Sequence, residues 1–160
     1  QSNWVPENNA TFVHQTGGMG SISKLTVYSP QEQGLELPLA EAVRAGFPSP
    51  AEDFPDQSLN ITAELVKNPA STFYARVSGN SMTGEGIDDG DLLVVDKSVE
   101  PYQGCIAICF IDGEFTLKKV EIHSDHVLLV PANKKFTPIK VTEDNTFLIW
   151  GIVRYVIKKR

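Results

Sequence analysis

The chain is short of positive charge, of histidine and of long apolar runs, and each shortage closes off a class of function. Fourteen bases stand against twenty acids, a net charge of −6. Phosphate contacts depend on clustered lysine and arginine, so these 160 residues lack the basic footprint of a nucleic-acid binder. The one basic cluster, Lys158 to Arg160, reads as a solvated end. No apolar run reaches the roughly eighteen residues of a membrane-crossing helix, so no membrane association is expected. The opening stretch QSNWVPENNATFVHQTGG has neither a basic n-region nor an apolar h-region and is not a signal peptide. It starts without methionine, and the chain is expected to be a fragment or a processed form.

Only three histidines are present, His14, His123 and His126. Structural zinc wants four closed ligands, so HSDH (residues 123–126) reads as a polar hairpin loop. No metal and no cofactor are expected. Asp88, Asp89, Asp91 and Asp96 lack the acid spacing and closing glutamate of a calcium loop, and Asp89-Gly90 reads as a turn. Cysteine is equally scarce. If CIAIC is a strand, Cys105 and Cys109 are roughly 13 Å apart at about 3.3 Å per residue. A disulfide needs less than about 7 Å, so both read as small buried hydrophobes. A cytoplasmic location follows from free cysteines.

What is present is a core, since 41% of the residues are hydrophobic. Residues 1–36 are polar and glycine-rich apart from the patch Leu25 to Tyr28, and read as a linker or mobile arm. Residues 37–58 carry Pro38, Pro48, Pro50 and Pro55, which exclude a long helix or a central strand. Asn60 caps a helix of two to three turns with Ile61, Leu65 and Val66 at helical spacing, stopped by Pro69. From residue 72 the pattern turns to β: TFYARV, DLLVVD, GCIAICFI, EFTLKKVEI, HVLLVPA and TFLIWGIVRYVIKK, with Asp112-Gly113 as a tight hairpin turn. Six or seven short strands with almost no helix predict a mostly β, compact domain that closes on itself over 59–160.

The stretch RVSGNSMTGEGIDDGDLLVVD places Ser81 between Gly79, Gly84 and Gly86, just before an apolar strand. A structural turn explains the glycines, and so does a nucleophile that needs open backbone. With no suitable histidine, a serine nucleophile needs another base. A lysine serves when apolar burial makes it neutral. By alternation Lys119 shares its strand face with Leu117 and Glu121, and that carboxylate keeps it charged. Lys118 shares its face with Thr116, Val120 and Ile122, which suits a depressed pKa. Most strand lysines nevertheless point to water.

Four stretches together resemble the LexA/UmuD family of self-cleaving proteins of the bacterial DNA-damage response. AGFPSP (45–50) looks like the family's cleavage segment and SGNSM (78–82) like its nucleophile turn. GDLLVVD (90–96) follows that turn as in the family, and DGEFTLKK (112–119) matches its lysine strand. The likeness runs from about Leu37 to the end. FPSP and WGIVRYVIK place it nearer the UmuD branch than LexA. The length ahead of the cleavage segment resembles N-terminally extended UmuD-like regulators of the UmuDAb type. A DNA-binding domain ahead of Gln1 is expected on that ground.

The resemblance implies a LexA/UmuD-type C-terminal peptidase domain with one short helix and an extended N-terminal arm. It implies Ser81 as nucleophile, Lys118 as general base, and an oxyanion hole of the Asn80 and Ser81 backbone amides. The scissile bond would be Ala45-Gly46, in a cleavage-site segment spanning 37–58, with Val43 filling a pocket. Cleavage would be stimulated by a RecA filament on single-stranded DNA and would relieve transcriptional repression. The alternative is a UmuD-type accessory subunit of a translesion DNA polymerase, switched by the same cut. A scaffold with an idle Ser81 and Lys118 is the non-enzymatic rival. A signal peptidase, which uses a related dyad, has no membrane segment to support it. A homodimer is expected through Phe147 to Ile157, with Ile149, Gly151, Val153 and Tyr155 on one face and Leu148, Trp150, Ile152 and Val156 on the other.

Overall fold

The computed structural model describes residues 58–160 and the backbone of two short earlier strands, 26–28 and 36–38. In chain order the elements are β1 (Thr26–Tyr28), β2 (Glu36–Pro38), β3 (Ser58–Asn60), α1 (Ile61–Leu65), β4 (Thr72–Arg76), β5 (Leu92–Asp96), β6 (Ile106–Ile111), β7 (Glu114–Ile122), β8 (Val127–Val130), β9 (Ile139–Val141) and β10 (Phe147–Ile157). Eight strands form one antiparallel sheet in the order β1-β4-β5-β10-β6-β7-β8-β9, and β2 pairs with β3. The architecture is the expected mostly β domain with one short helix.

The strands are apolar on both faces because both faces are covered. One cluster joins Ala75, Val77, Met82, Ile87, Leu93, Val95, Ile108 and Leu117. The other joins Cys105, Ala107, Cys109, Ile111, Val120, Leu129, Val141 and Ile152. Each fully buried leucine or isoleucine contributes about 1.5–3 kcal/mol by leaving water. Cys105 and Cys109 sit in this second core as free thiols, and burial pushes Cys109 up to about 12. Asp112-Gly113 makes the expected tight turn, with φ of 48° and 88° and Ile111 paired to Glu114. Positive φ at both central residues is the signature of a type I′ hairpin.

Three expectations change. The helix is a single turn over Ile61–Leu65, capped by Asn60 Oδ1 accepting from Ala63 N at 3.1 Å. Val66 is already extended (φ −107°, ψ 97°), three residues ahead of Pro69, so the helix stops well short of the proline. No residue inside it is buried; Val66, just beyond it, is. The strand β9 was not expected, because Pro138 and Lys140 dilute its β pattern. Thr26–Tyr28, within the stretch read as linker, pairs with β4 at the sheet edge.

The faces expected for β10 also differ. Its register slips once against β6, between Ile149 and Gly151, and once against β5, between Val153 and Tyr155. Each bulge adds a residue and reverses the alternation beyond it. Ile149 and Ile152 therefore pack into the second cluster, while Trp150 and Val153 pack against the first.

Candidate functional site

The loop between β4 and β5 carries Ser81, and its neck is tied shut. Val77 N donates to Asp91 O at 2.9 Å, Gly90 N to Val77 O at 2.8 Å, and Gly79 N to Asp89 Oδ1 at 2.8 Å. Gly79 (φ 105°) and Gly86 (φ 74°) take left-handed conformations that other residues resist. On either side of the tip, Met82 and Ile87 are sunk into the first core cluster. Gly84 has a different reason to be glycine. Its N–H donates to Ala132 O at 2.9 Å, and a Cβ there would stand 2.0 Å from that oxygen. The glycines thus shape and seat the turn, which is not open: Ser81 is 4% exposed.

Lys118 enters from β7, where it pairs with Ala107, and is 8% exposed. Its Nζ donates to Thr116 Oγ1 at 2.8 Å and to Leu117 O at 3.1 Å, and lies 3.5 Å from Ser81 Oγ. Burial lowers its pKa below the ordinary lysine value, the Cys109 thiol acting weakly in the opposite sense. A neutral amine has two N–H bonds and one lone pair. Thr116 and Leu117 take the two hydrogens, which leaves the lone pair for the Ser81 hydroxyl. Hydrogen bonds of this kind are often long before substrate docks.

Lys119 has the opposite environment, for a reason alternation did not show. Its partner is Glu85 Oε1 at 2.9 Å, on the serine loop, and this pair raises its pKa. Glu121, expected as the neighbour, makes only a minor contribution and has Oε2 3.7 Å from His123 Nε2. Mates two apart on one strand face are separated by nearly two rises, about 6–7 Å.

The remaining candidates fall into place around this. His123 and His126 stack at 4.5 Å in a hairpin, with His123 N donating to His126 O at 2.9 Å. The His126 ring sits 2.7 Å from Asp125 Oδ1. Among the described residues no group of three or more metal-binding side chains gathers. Asp88 and Asp91 both receive Lys158 Nζ at 2.6 Å, tying the loop to the C-terminal segment. Among the described residues the amides of Asn80 and Ser81 donate to no protein acceptor. Val43, Ala45 and Gly46 lie outside the described residues. The motif reading passed over Asn133, whose Nδ2 donates to Asn80 O at 2.9 Å; a polar loop residue bonded across 53 positions leaves no sequence pattern.

A buried serine facing a buried lysine of lowered pKa, with no histidine between them, is the arrangement of serine peptidases that use an amine as base. The family model described as Peptidase S24-like matches residues 38–154, and the chain belongs to that family of self-cleaving serine peptidases. Protein SamA of Salmonella typhimurium is 37% identical over 138 residues, covering 84% of this chain and 96% of SamA. Protein MucA of Escherichia coli is 40% identical over 116 residues, covering 72% of this chain and 79% of MucA. The LexA repressor of Syntrophotalea carbinolica is 37% identical over 134 residues, and the match covers 65% of that repressor. These relatives place the chain among the self-cleaving proteins of the SOS response. No described helix is long and apolar enough to cross a membrane.

Proposed function

We propose that the chain cuts its own Ala45-Gly46 bond with Ser81 as nucleophile and Lys118 as base, as a regulator of the DNA-damage response. The observation that carries this is Lys118 Nζ, 3.5 Å from Ser81 Oγ with its other contacts already made to Thr116 and Leu117. The neutral amine takes the hydroxyl proton as Oγ bonds to the Ala45 carbonyl carbon. The amides of Asn80 and Ser81 hold the resulting oxyanion. The Lys118 ammonium then gives its proton to the departing Gly46 nitrogen, leaving Ala45 as an ester on Ser81. Water attacks that ester, losing its proton to Lys118, and the serine is restored. Val43 occupies a pocket that orients the segment.

In this reading residues 1–36 are an arm, 37–58 the cleavage segment and 59–160 the peptidase and dimerisation domain of a cytoplasmic protein. A RecA filament on single-stranded DNA favours the docked segment, a population shift. The output is relief of transcriptional repression. The UmuD-like relatives SamA and MucA support a second reading, a UmuD-type accessory subunit of a translesion polymerase. Intact-mass measurement after alkaline incubation tests the cleavage itself. Two fragments meeting at Ala45-Gly46 are expected, and their absence, or their appearance in Ser81→Ala, overturns it. Operator binding by the full-length protein, lost on cleavage, separates regulator from accessory subunit.

A further inference from the structure

The loop from β8 to β9 holds the serine turn by two contacts. Ala132 O accepts from Gly84 N at 2.9 Å, and Asn133 Nδ2 donates to Asn80 O at 2.9 Å. Thr83 Oγ1 adds a longer bond to the same Asn80 oxygen at 3.3 Å. Asn133 is itself fixed, because its Oδ1 accepts from Lys135 N at 3.0 Å and its main-chain oxygen from Phe136 N at 3.0 Å. The amide group therefore has one face spent on its own loop and the other aimed at the turn.

The oxygen it grips is informative. Asn80 O and the Ser81 N–H belong to one peptide plane, and no described peptide bond is cis. In a trans peptide the C=O and N–H point in opposite directions, so holding the carbonyl also aims the amide hydrogen. Planes inside turns otherwise rotate readily; type I and type II turns differ by such a rotation of the central peptide. Gly79, with φ of 105°, precedes this plane by one residue and leaves the backbone soft there. Among the described residues the Ser81 N–H meets no acceptor, so none of them holds it from its own side.

We infer that Asn133 is a positioning residue for self-cleavage: it clamps the Asn80–Ser81 peptide so that the Ser81 amide faces the oxyanion. The inference rests on the reading of Ser81 as nucleophile. A donor fixed before the reaction costs no reorganisation when the charge develops. Asn133 touches neither the reacting bond nor Lys118, so its effect falls on the rate reached once the base is neutral and not on the pH at which the base becomes neutral.

Asn133→Asp tests this in the full chain. The carboxylate keeps an oxygen for Lys135 N and loses the donor to Asn80 O. Self-cleavage is followed by intact mass across alkaline pH, giving a plateau rate and a midpoint, with a thermal melt alongside. The plateau is expected to fall at least about tenfold, less than the 10²–10³ for removing an oxyanion donor outright, with the melting temperature little changed. Asn133→Ala replaces it if the carboxylate variant does not fold, with the same expected loss. A folded variant whose plateau stays within about twofold of wild type overturns the inference, as does a loss seen only as a shifted midpoint. In both cases wild-type cleavage leaves the Ser81 reading standing. If the wild-type chain does not cleave, or Ser81→Ala cleaves equally, that reading falls and this one with it.

Discussion

Lys119 Nζ is bound to Glu85 Oε1 at 2.9 Å, while its neighbour Lys118 meets only neutral oxygens. Two adjacent lysines on one strand are thus divided into a charged residue and a suppressed one. Lys119→Ala removes an exposed ion pair, and such pairs contribute at most about 1 kcal/mol. Self-cleavage is therefore expected to remain within a few-fold of wild type in Lys119→Ala. In Lys118→Ala it is expected to fall by at least about a hundredfold, the usual scale of a lost general base. Intact-mass time courses of the two variants check this, and equal losses would remove the distinction drawn between them.

Gly84→Ala is expected to destabilise the domain and slow self-cleavage. Its Cβ would meet the Ala132 carbonyl at 2.0 Å, and that oxygen is backbone. Overpacking of this kind costs about 1–3 kcal/mol, and relief requires the serine turn to lift off the β8–β9 loop. Urea unfolding measures the first effect and the alkaline cleavage rate the second. Wild-type values for both would show that the close approach is unimportant.

A homodimer through β10 is expected, now narrowed to the end of the strand. From Ile149 to Val153 the strand spends both faces on the two core clusters, while Leu148 before them is 57% exposed. Beyond the second bulge Tyr155, Val156 and Ile157 are 40%, 38% and 41% exposed. Tyr155 and Ile157 share one face of the strand and Val156 takes the other, and exposed apolar side chains so close together seek cover. Tyr155→Glu should give a folded monomer by sedimentation equilibrium. Trp150 packs on Phe73 at 5.4 Å and Phe115 at 6.1 Å, under Lys97 at 5.0 Å. Trp150→Glu should therefore unfold the domain. A wild-type monomer of 17.6 kDa at micromolar concentration would end the proposal.

Much of this was legible in the residues, for identifiable reasons. Runs such as LLVV (92–95) and CIAIC (105–109) are apolar at every position because each face of the sheet has its own core. Asp112-Gly113 declared its turn because few pairs tolerate positive φ twice. Lys118 stood out from Lys119 because period-two alternation fixes a strand residue's face. Alternation failed where its premise failed: a bulge inserts Trp150 or Arg154 without any mark in composition. Glu85 and Asn133 were passed over because each acts across the fold, on Lys119 and Asn80 respectively. Such contacts depend on which loops meet, and no local period encodes that.

The central claim is that a neutral Lys118 activates Ser81 to cut the chain after Ala45. Burial lowers the Lys118 pKa from the ordinary 10.5, so the reactive amine appears as pH rises through that lowered value. Below it the ammonium cannot take the hydroxyl proton; above it every molecule carries the base and further alkali adds nothing. The rate of wild-type self-cleavage, read by intact mass from about pH 6 to 11, is expected to climb and then level off below 10.5. A rate flat across that range, or one still climbing past 10.5, would contradict a buried lysine base.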